Sequence, residues 1–139
     1  MKYGSLIMEK KEYVYLKRIL NISGYAEDFQ TLKSHQKLSD ELKTAHIVDN
    51  DEMPLDVIRF NSKVTIIFNN GIEKTIQIVA PMDKDVKNNK ISILTPMGTA
   101  LIGYSKGDIV TWEFPMGQHE IKIIEVQQEK LFNDINIAI

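Results

Sequence analysis

An α+β fold is predicted: an antiparallel helical hairpin, a short coiled coil, in front of a mainly antiparallel sheet that carries one short helix. Three observations predict it. Apolar residues recur at spacings of three and four from Met8 to about Ala45. From Ser62 onward the apolar period becomes two. The runs of this second half are separated by short turns rich in Gly and Pro, which join antiparallel neighbours more readily than parallel ones.

In the first half Tyr13, Leu16 and Leu20 form one stripe, and Phe29, Leu32, Leu38 and Leu42 form a second. Ser23-Gly24 between them is a cheap place to reverse the chain. Lys10, Lys11, Lys17, Arg18, Lys33, Lys37, Asp40, Glu41 and Lys43 then cover the outer faces as a solvated surface. A hairpin of this size has little core of its own and must lean on the second half.

In the second half Val64, Ile66 and Phe68 share one strand face, and Ile72, Ile76, Ile78 and Ala80 share another. Asn70-Gly71 between them is a strong hairpin signal, because both residues tolerate positive φ. Residues 81–90 read as an exposed loop, and residues 91–94 as a short buried strand. Thr95-Pro96 then predicts a helix start, since Thr caps well and Pro suits the first helical position, where its missing N–H would be unpaired anyway. Met97, Ala100 and Leu101 lie on one side of that helix, which Gly103 ends. Gly107-Asp108 and Pro115-Met116-Gly117 bracket a strand in which Val110, Trp112 and Phe114 alternate inward, and a last strand runs over residues 119–126. The stretch 46–55, rich in acids and ending near Pro54, is taken as the boundary, dividing the chain into 1–48 and 49–139. The apolar tail, with Leu131, Phe132, Ile135, Ile137 and Ile139, is expected to pack back on the sheet.

Composition excludes several functions. The chain has 139 residues, 43% hydrophobic, with no cysteine. Disulfides, thiolate nucleophiles, iron–sulfur clusters and cysteine-bound zinc are therefore all absent. A formal net charge of −2 supplies no global positive field for a phosphate backbone, so direct sequence-specific nucleic-acid binding is not expected. No apolar run is long enough to cross a bilayer and no signal peptide is visible, so a cytoplasmic protein without membrane contact is expected.

Chemistry is equally sparse. His35, His46 and His119 fall in three different predicted environments, and no phosphate-cradling, serine-hydrolase or zinc-protease motif is present. Asp49, Asp51 and Glu52 resemble a calcium loop only in composition, and a solvated linker is the better reading. The expectation is a protein that is not an enzyme and needs no cofactor or metal.

The run Ile91-Ser92-Ile93-Leu94-Thr95-Pro96-Met97-Gly98-Thr99-Ala100-Leu101-Ile102-Gly103-Tyr104-Ser105-Lys106-Gly107-Asp108 resembles the C-terminal signature of the Gre transcript-cleavage factors. Glu52-Met53-Pro54, Asp56-Val57, Asn61-Ser62 and Trp112-Glu113-Phe114-Pro115 resemble more closely a Gre-related branch, the regulator of nucleoside diphosphate kinase family. The likeness covers about residues 40 to 126. It implies an FKBP-like C-terminal domain that docks on bacterial RNA polymerase at the rim of the secondary channel, with the hairpin pointing into the channel. It also implies a docking segment at Thr95, Pro96, Met97 and Gly98. Leu94 departs from the pattern, standing where some Gre proteins carry an acid.

The hairpin tip is assigned to Ser23, Gly24, Tyr25, Glu27 and Asp28. In Gre factors tip acids help hold a catalytic metal of the polymerase. Here Glu27 and Asp28 are accounted for by the dipole at the start of the second helix, worth about 0.3 to 1 kcal/mol each. Helices of roughly 15 to 20 residues extend about 20 to 30 Å, shorter than a Gre hairpin. The resulting expectation is a monomeric regulator that occludes the channel and competes with Gre factors without stimulating cleavage. A Gre-type cleavage factor acting through the acidic tip is the alternative. A prolyl isomerase, with Tyr104, Trp112 and Phe114 lining a pocket, is a lesser one, and direct control of nucleotide metabolism lacks any recognisable nucleotide site.

Overall fold

A computed structural model describes residues 2–22, 29–114 and 117–128. The hairpin tip 23–28 and the tail from 129 lie outside the described residues, as do the side chains of Phe29, Trp112 and Phe114.

The chain begins with a strand, β1 (Ile7–Glu9), which runs directly into α1 (Lys10–Ile22). Glu9 starts the helix: its Oε2 and Oε1 accept the N–H groups of Lys11 and Glu12, both at 3.0 Å, satisfying donors that have no partner in the first turn. After α2 (Phe29–Leu42) comes β2 (His46–Val48), which pairs in parallel with β1 in the register Ile7↔His46 to Glu9↔Val48. The stretch read as a linker thus starts as a strand. Three residues are too short to show a period, and the pairing partner is nearly forty positions away.

The main sheet is made of β3 (Lys63–Phe68), β4 (Glu73–Val79), β5 (Lys90–Ser92), β6 (Ile109–Phe114) and β7 (Gly117–Gln127), in the order β5-β4-β3-β7-β6. All neighbours are antiparallel except β4 and β5, so the fold is α+β with a mainly antiparallel sheet. The parallel pair departs from short-turn logic because residues 80–89 form a crossover with two 3-10 turns, long enough to bring the chain back in the same direction.

At the β3–β4 hairpin Gly71 alone takes a positive φ, +87°, and Asn70 does not. Gly71 N–H bonds Phe68 O, Phe68 N–H bonds Ile72 O, and Asn70 Oδ1 accepts the N–H of Ile72. The turn is therefore the longer kind closed by a glycine bulge. Ile72 consequently lies on the turn, 59% exposed, rather than on the inward face with Ile76 and Ile78.

A bulge in β7 opposite Thr65 and Ile66 skips Ile124. That extra residue shifts the alternation by one, so Ile121, Ile123 and Val126 all face the core although their numbering breaks a strict period of two. The core joins these residues with Val64, Ile66, Ile76 and Ile78 of the sheet, Ile93 just after β5 and Leu101 of α3 (Pro96–Leu101), and with Leu16, Leu20, Leu38 and Leu42 of the hairpin. Side chains from both sides of residue 48 thus meet in one cluster. Leu32 does not join it and is 44% exposed, while the next inward position of α2 is filled by His35, 7% exposed.

Candidate functional site

The segment joining β5 to α3 is held by hydrogen bonds from its own small polar residues. Ser92 Oγ accepts Leu94 N–H at 3.1 Å, and Thr95 Oγ1 donates to Ser92 O at 2.8 Å. The same Thr95 hydroxyl accepts Gly98 N–H at 3.1 Å, the N-cap the sequence predicts, with Pro96 at the first helical position. Thr95, Pro96 and Met97 are half-buried on this rigid turn.

Gly98 plays a different part. It is buried, and a Cβ there would stand 2.5 Å from Ser92 O and 2.9 Å from Ile93 Cα. Its bare backbone lets α3 lie directly on the strand end, so it sets the position of its neighbours and offers no contact surface itself.

Two grooves flank this turn and share Pro96. One, of about 370 Å³, is bounded by Ile66, Phe68, Ile76, Ile91 and Met97, with Lys74 its single charged residue. The other, of about 750 Å³, lies between α2 and α3, where Leu32 and Ala100 alternate with Lys33, Lys37, Asp40 and Glu41. An apolar slot on one side and a mixed-charge cleft on the other make the Thr95–Met97 turn a ridge suited to gripping a protein surface.

The hairpin is tied to this region by polar contacts that sequence reasoning missed. His35 Nε2 lies 2.8 Å from Leu94 O. Tyr104 donates its hydroxyl to Glu41 Oε2 at 2.8 Å. Burial, reinforced by the Glu41 carboxylate, pushes the Tyr104 hydroxyl well above its ordinary pKa. Through this hydrogen bond Tyr104 anchors α2, while the side chains of Trp112 and Phe114, its companions in the isomerase reading, lie outside the described residues. At the base of α1, Arg59 donates to Glu12, and Glu12 Oε1 accepts the N–H of Phe60 at 3.1 Å. Burial pushes the Glu12 carboxyl above the usual range while Arg59 pulls it back. A signal for these links does exist in the sequence: Glu12 and His35 interrupt otherwise apolar inward stripes.

His46 and His119 stand apart from His35, and His119 Nδ1 is 3.2 Å from Asn69 Oδ1. Asp49, Asp51 and Glu52 bring carboxylate oxygens within 4.8 Å of one another on an exposed 3-10 turn, an arrangement that the short turn accounts for by itself. The tip residues Ser23, Gly24, Tyr25, Glu27 and Asp28 lie outside the described residues, and α2 begins after them at Phe29. Among the described residues no helix is long and apolar enough to cross a membrane.

Comparison with known proteins shows the family. Residues 51–128 match the family model described as transcription elongation factor, GreA/GreB, C-term. The chain is 36% identical over 115 residues to transcription elongation factor GreA of Bartonella henselae, covering 77% of this chain and 73% of the relative. It is 36% identical over 108 residues to GreA of Streptococcus gordonii, covering 76% and 68%. Among solved structures it resembles the prokaryotic transcription elongation factor GreA/GreB from Nitrosomonas europaea, with a TM-score of 0.71, 29% identity and coverage of 89% and 98%. Other GreA relatives are matched over about 60% of their own length.

These names overturn the expectation of a protein that is not an enzyme. The relatives carry the name GreA, that of the transcript-cleavage factors whose signature residues 91–108 bear, and not that of the non-cleaving branch. The lack of an active-site motif in the chain does not exclude a part in RNA cleavage.

Proposed function

The chain belongs to the GreA/GreB family of transcription elongation factors, and from that premise we propose that it binds bacterial RNA polymerase and stimulates the polymerase's cleavage of its own transcript. The match to GreA chains over 115 residues carries this reading. The body, residues 49–139, is the docking part, with the FKBP-like fold the resemblance implies used as a scaffold. It meets the secondary-channel rim with the ridge of Thr95, Pro96 and Met97, while Gly98 supports that ridge from beneath. Segment 1–48 is the finger that enters the channel, and the factor acts as a monomer in the cytoplasm.

Glu27 and Asp28 are the acids nearest the turn, and their hard carboxylate oxygens suit a divalent cation held by the polymerase, where such an ion would activate water for hydrolysis. The finger's task is to carry those carboxylates to the right place. Its helices, of 13 and 14 residues, span about 20 Å at 1.5 Å per residue.

A transcript-cleavage assay on backtracked complexes tests this. Faster cleavage with the wild-type chain, lost in Glu27→Ala/Asp28→Ala, is expected. Polymerase binding with no acceleration of cleavage overturns the reading. A pull-down with Met97→Asp or Pro96→Asn tests the docking ridge separately, and undiminished binding by both folded variants removes it.

A further inference from the structure

Among the inward residues of α2, Leu38 and Leu42 are 1% and 3% exposed and purely apolar, yet the position one turn nearer the tip is His35, 7% exposed. A leucine there would fill the space without the cost of burying an imidazole. The imidazole is only half satisfied. Nε2 lies 2.8 Å from Leu94 O, and Nδ1 has no hydrogen-bond partner among the described residues. A carbonyl only accepts, so Nε2 is the donor of this bond.

What the histidine adds over leucine is direction. Apolar contacts tolerate sliding along a helix axis, whereas a hydrogen bond fixes distance and angle. The atom it fixes is the carbonyl of the residue immediately before Thr95. Leu94 lies beyond the end of β5, and its N–H is held by Ser92 Oγ. Both main-chain polar groups of Leu94 are therefore positioned by side chains. Six residues further along the same helix, Glu41 accepts the Tyr104 hydroxyl. Two pins about 9 Å apart on one helix, at 1.5 Å per residue, fix its direction as well as its place. The His35 pin is the one nearer the tip, where a small tilt is magnified most.

We infer that His35 is a positioning residue: its hydrogen bond to Leu94 locks the direction of the hairpin to the Thr95–Met97 ridge, so that docking of the ridge aims the tip. The functional half of this inference rests on the polymerase-binding reading above, while the mechanical half does not.

The absence of cysteine allows clean spin labelling at Lys37→Cys on α2 and Glu73→Cys on β4, both exposed. The label-to-label distance is measured by pulsed electron resonance in the wild-type background, in His35→Leu and in His35→Gln, whose longer amide still delivers an N–H to the Nε2 position. A narrow distribution is expected in wild type and His35→Gln, and a broadened or displaced one in His35→Leu. Should His35→Leu fail to fold, His35→Asn, too short to reach Leu94 O, carries the same expectation. An unchanged distribution in the folded leucine or asparagine variant overturns the lock.

In the cleavage assay, His35→Leu is expected to bind polymerase within about twofold of wild type. Its cleavage stimulation should fall by on the order of ten- to a hundredfold, as misplacement of a reacting group by about an ångström does, with rescue by His35→Gln. Wild-type protein that fails to stimulate cleavage at all defeats the functional reading and leaves the distance measurement to decide the lock. Wild-type stimulation matched by His35→Leu defeats the inference alone.

Discussion

Arg59 and Glu12, 47 positions apart in the chain, form an ion pair with side chains only 8% and 1% exposed, Arg59 donating to the same Oε2 from Nε at 2.9 Å and from Nη2 at 2.5 Å. The remaining carboxylate oxygen accepts Phe60 N–H, and Arg59 Nη2 also donates to Asn50 Oδ1 at 2.9 Å. One carboxylate thus joins the first turn of the finger to the approach to β3 and to the turn that follows β2. A buried pair of this kind adds little stability over apolar packing, but breaking it leaves a charge stranded.

Glu12→Ala should therefore destabilise the fold by about 3 to 5 kcal/mol, read as a lower midpoint in urea denaturation. Replacing both partners, Glu12→Leu with Arg59→Met, should recover most of that loss. A double variant as unstable as the single one would show that the hydrogen bonds to Phe60 and Asn50, rather than the stranded charge, dominate.

Gly98→Ala places a methyl group 2.5 Å from Ser92 O, a backbone atom that cannot swing aside. A loss of about 1 to 3 kcal/mol is expected, as for other overpacked sites. Polymerase binding should fall as well, because α3 must lift and carry Pro96 and Met97 with it. A variant with wild-type thermal stability would mean that α3 does not rest on the Ser92–Ile93 backbone.

Thr95 and Met97 sit two residues apart and should differ in how they affect stability and binding. Thr95→Ala removes a cap and the bond to Ser92 O, costing about 1 kcal/mol of stability. Met97→Asp, at a half-buried position packed against the core, should lower the melting temperature as well, but should weaken the pull-down of polymerase by the folded protein more than Thr95→Ala does.

Tyr104 makes stability fall in alkali. In the folded protein, burial and Glu41 keep its hydroxyl protonated at a pH where the unfolded chain's tyrosine ionises, near 10. This contribution is fully present below the unfolded pKa and is lost as pH rises above it. In Tyr104→Phe the decline of stability above about pH 10 should be shallower, and stability at pH 7 should drop by about 0.5 to 1.5 kcal/mol for the lost hydrogen bond. Equal slopes in denaturant titrations from pH 8 to 11 would remove Tyr104 as the cause.

Local rules were enough for much of the fold and for the cap that starts α3. Periodicity located both helices and the strands of the main sheet, because side-chain alternation is a property of a short stretch of chain. Thr95-Pro96 announced the start of α3, since a cap needs only residues three apart. Those same residues, with the Ala100-Leu101 and Gly107-Asp108 landmarks, carried the family resemblance.

Contacts between distant residues were not legible. The β1–β2 pairing, the parallel β5 and the phase shift at Ile124 each depend on a partner strand, which the sequence does not point to. His35 and Glu12 break the apolar stripes of their helices, but their partners, Leu94 O and Arg59, lie far along the chain and became known only from the fold. Which residues form which element was written along the chain. How the helical hairpin is tied to the sheet was decided only by the fold, because a hydrogen bond or ion pair exists only where folding has already paid the entropy of bringing its two ends together.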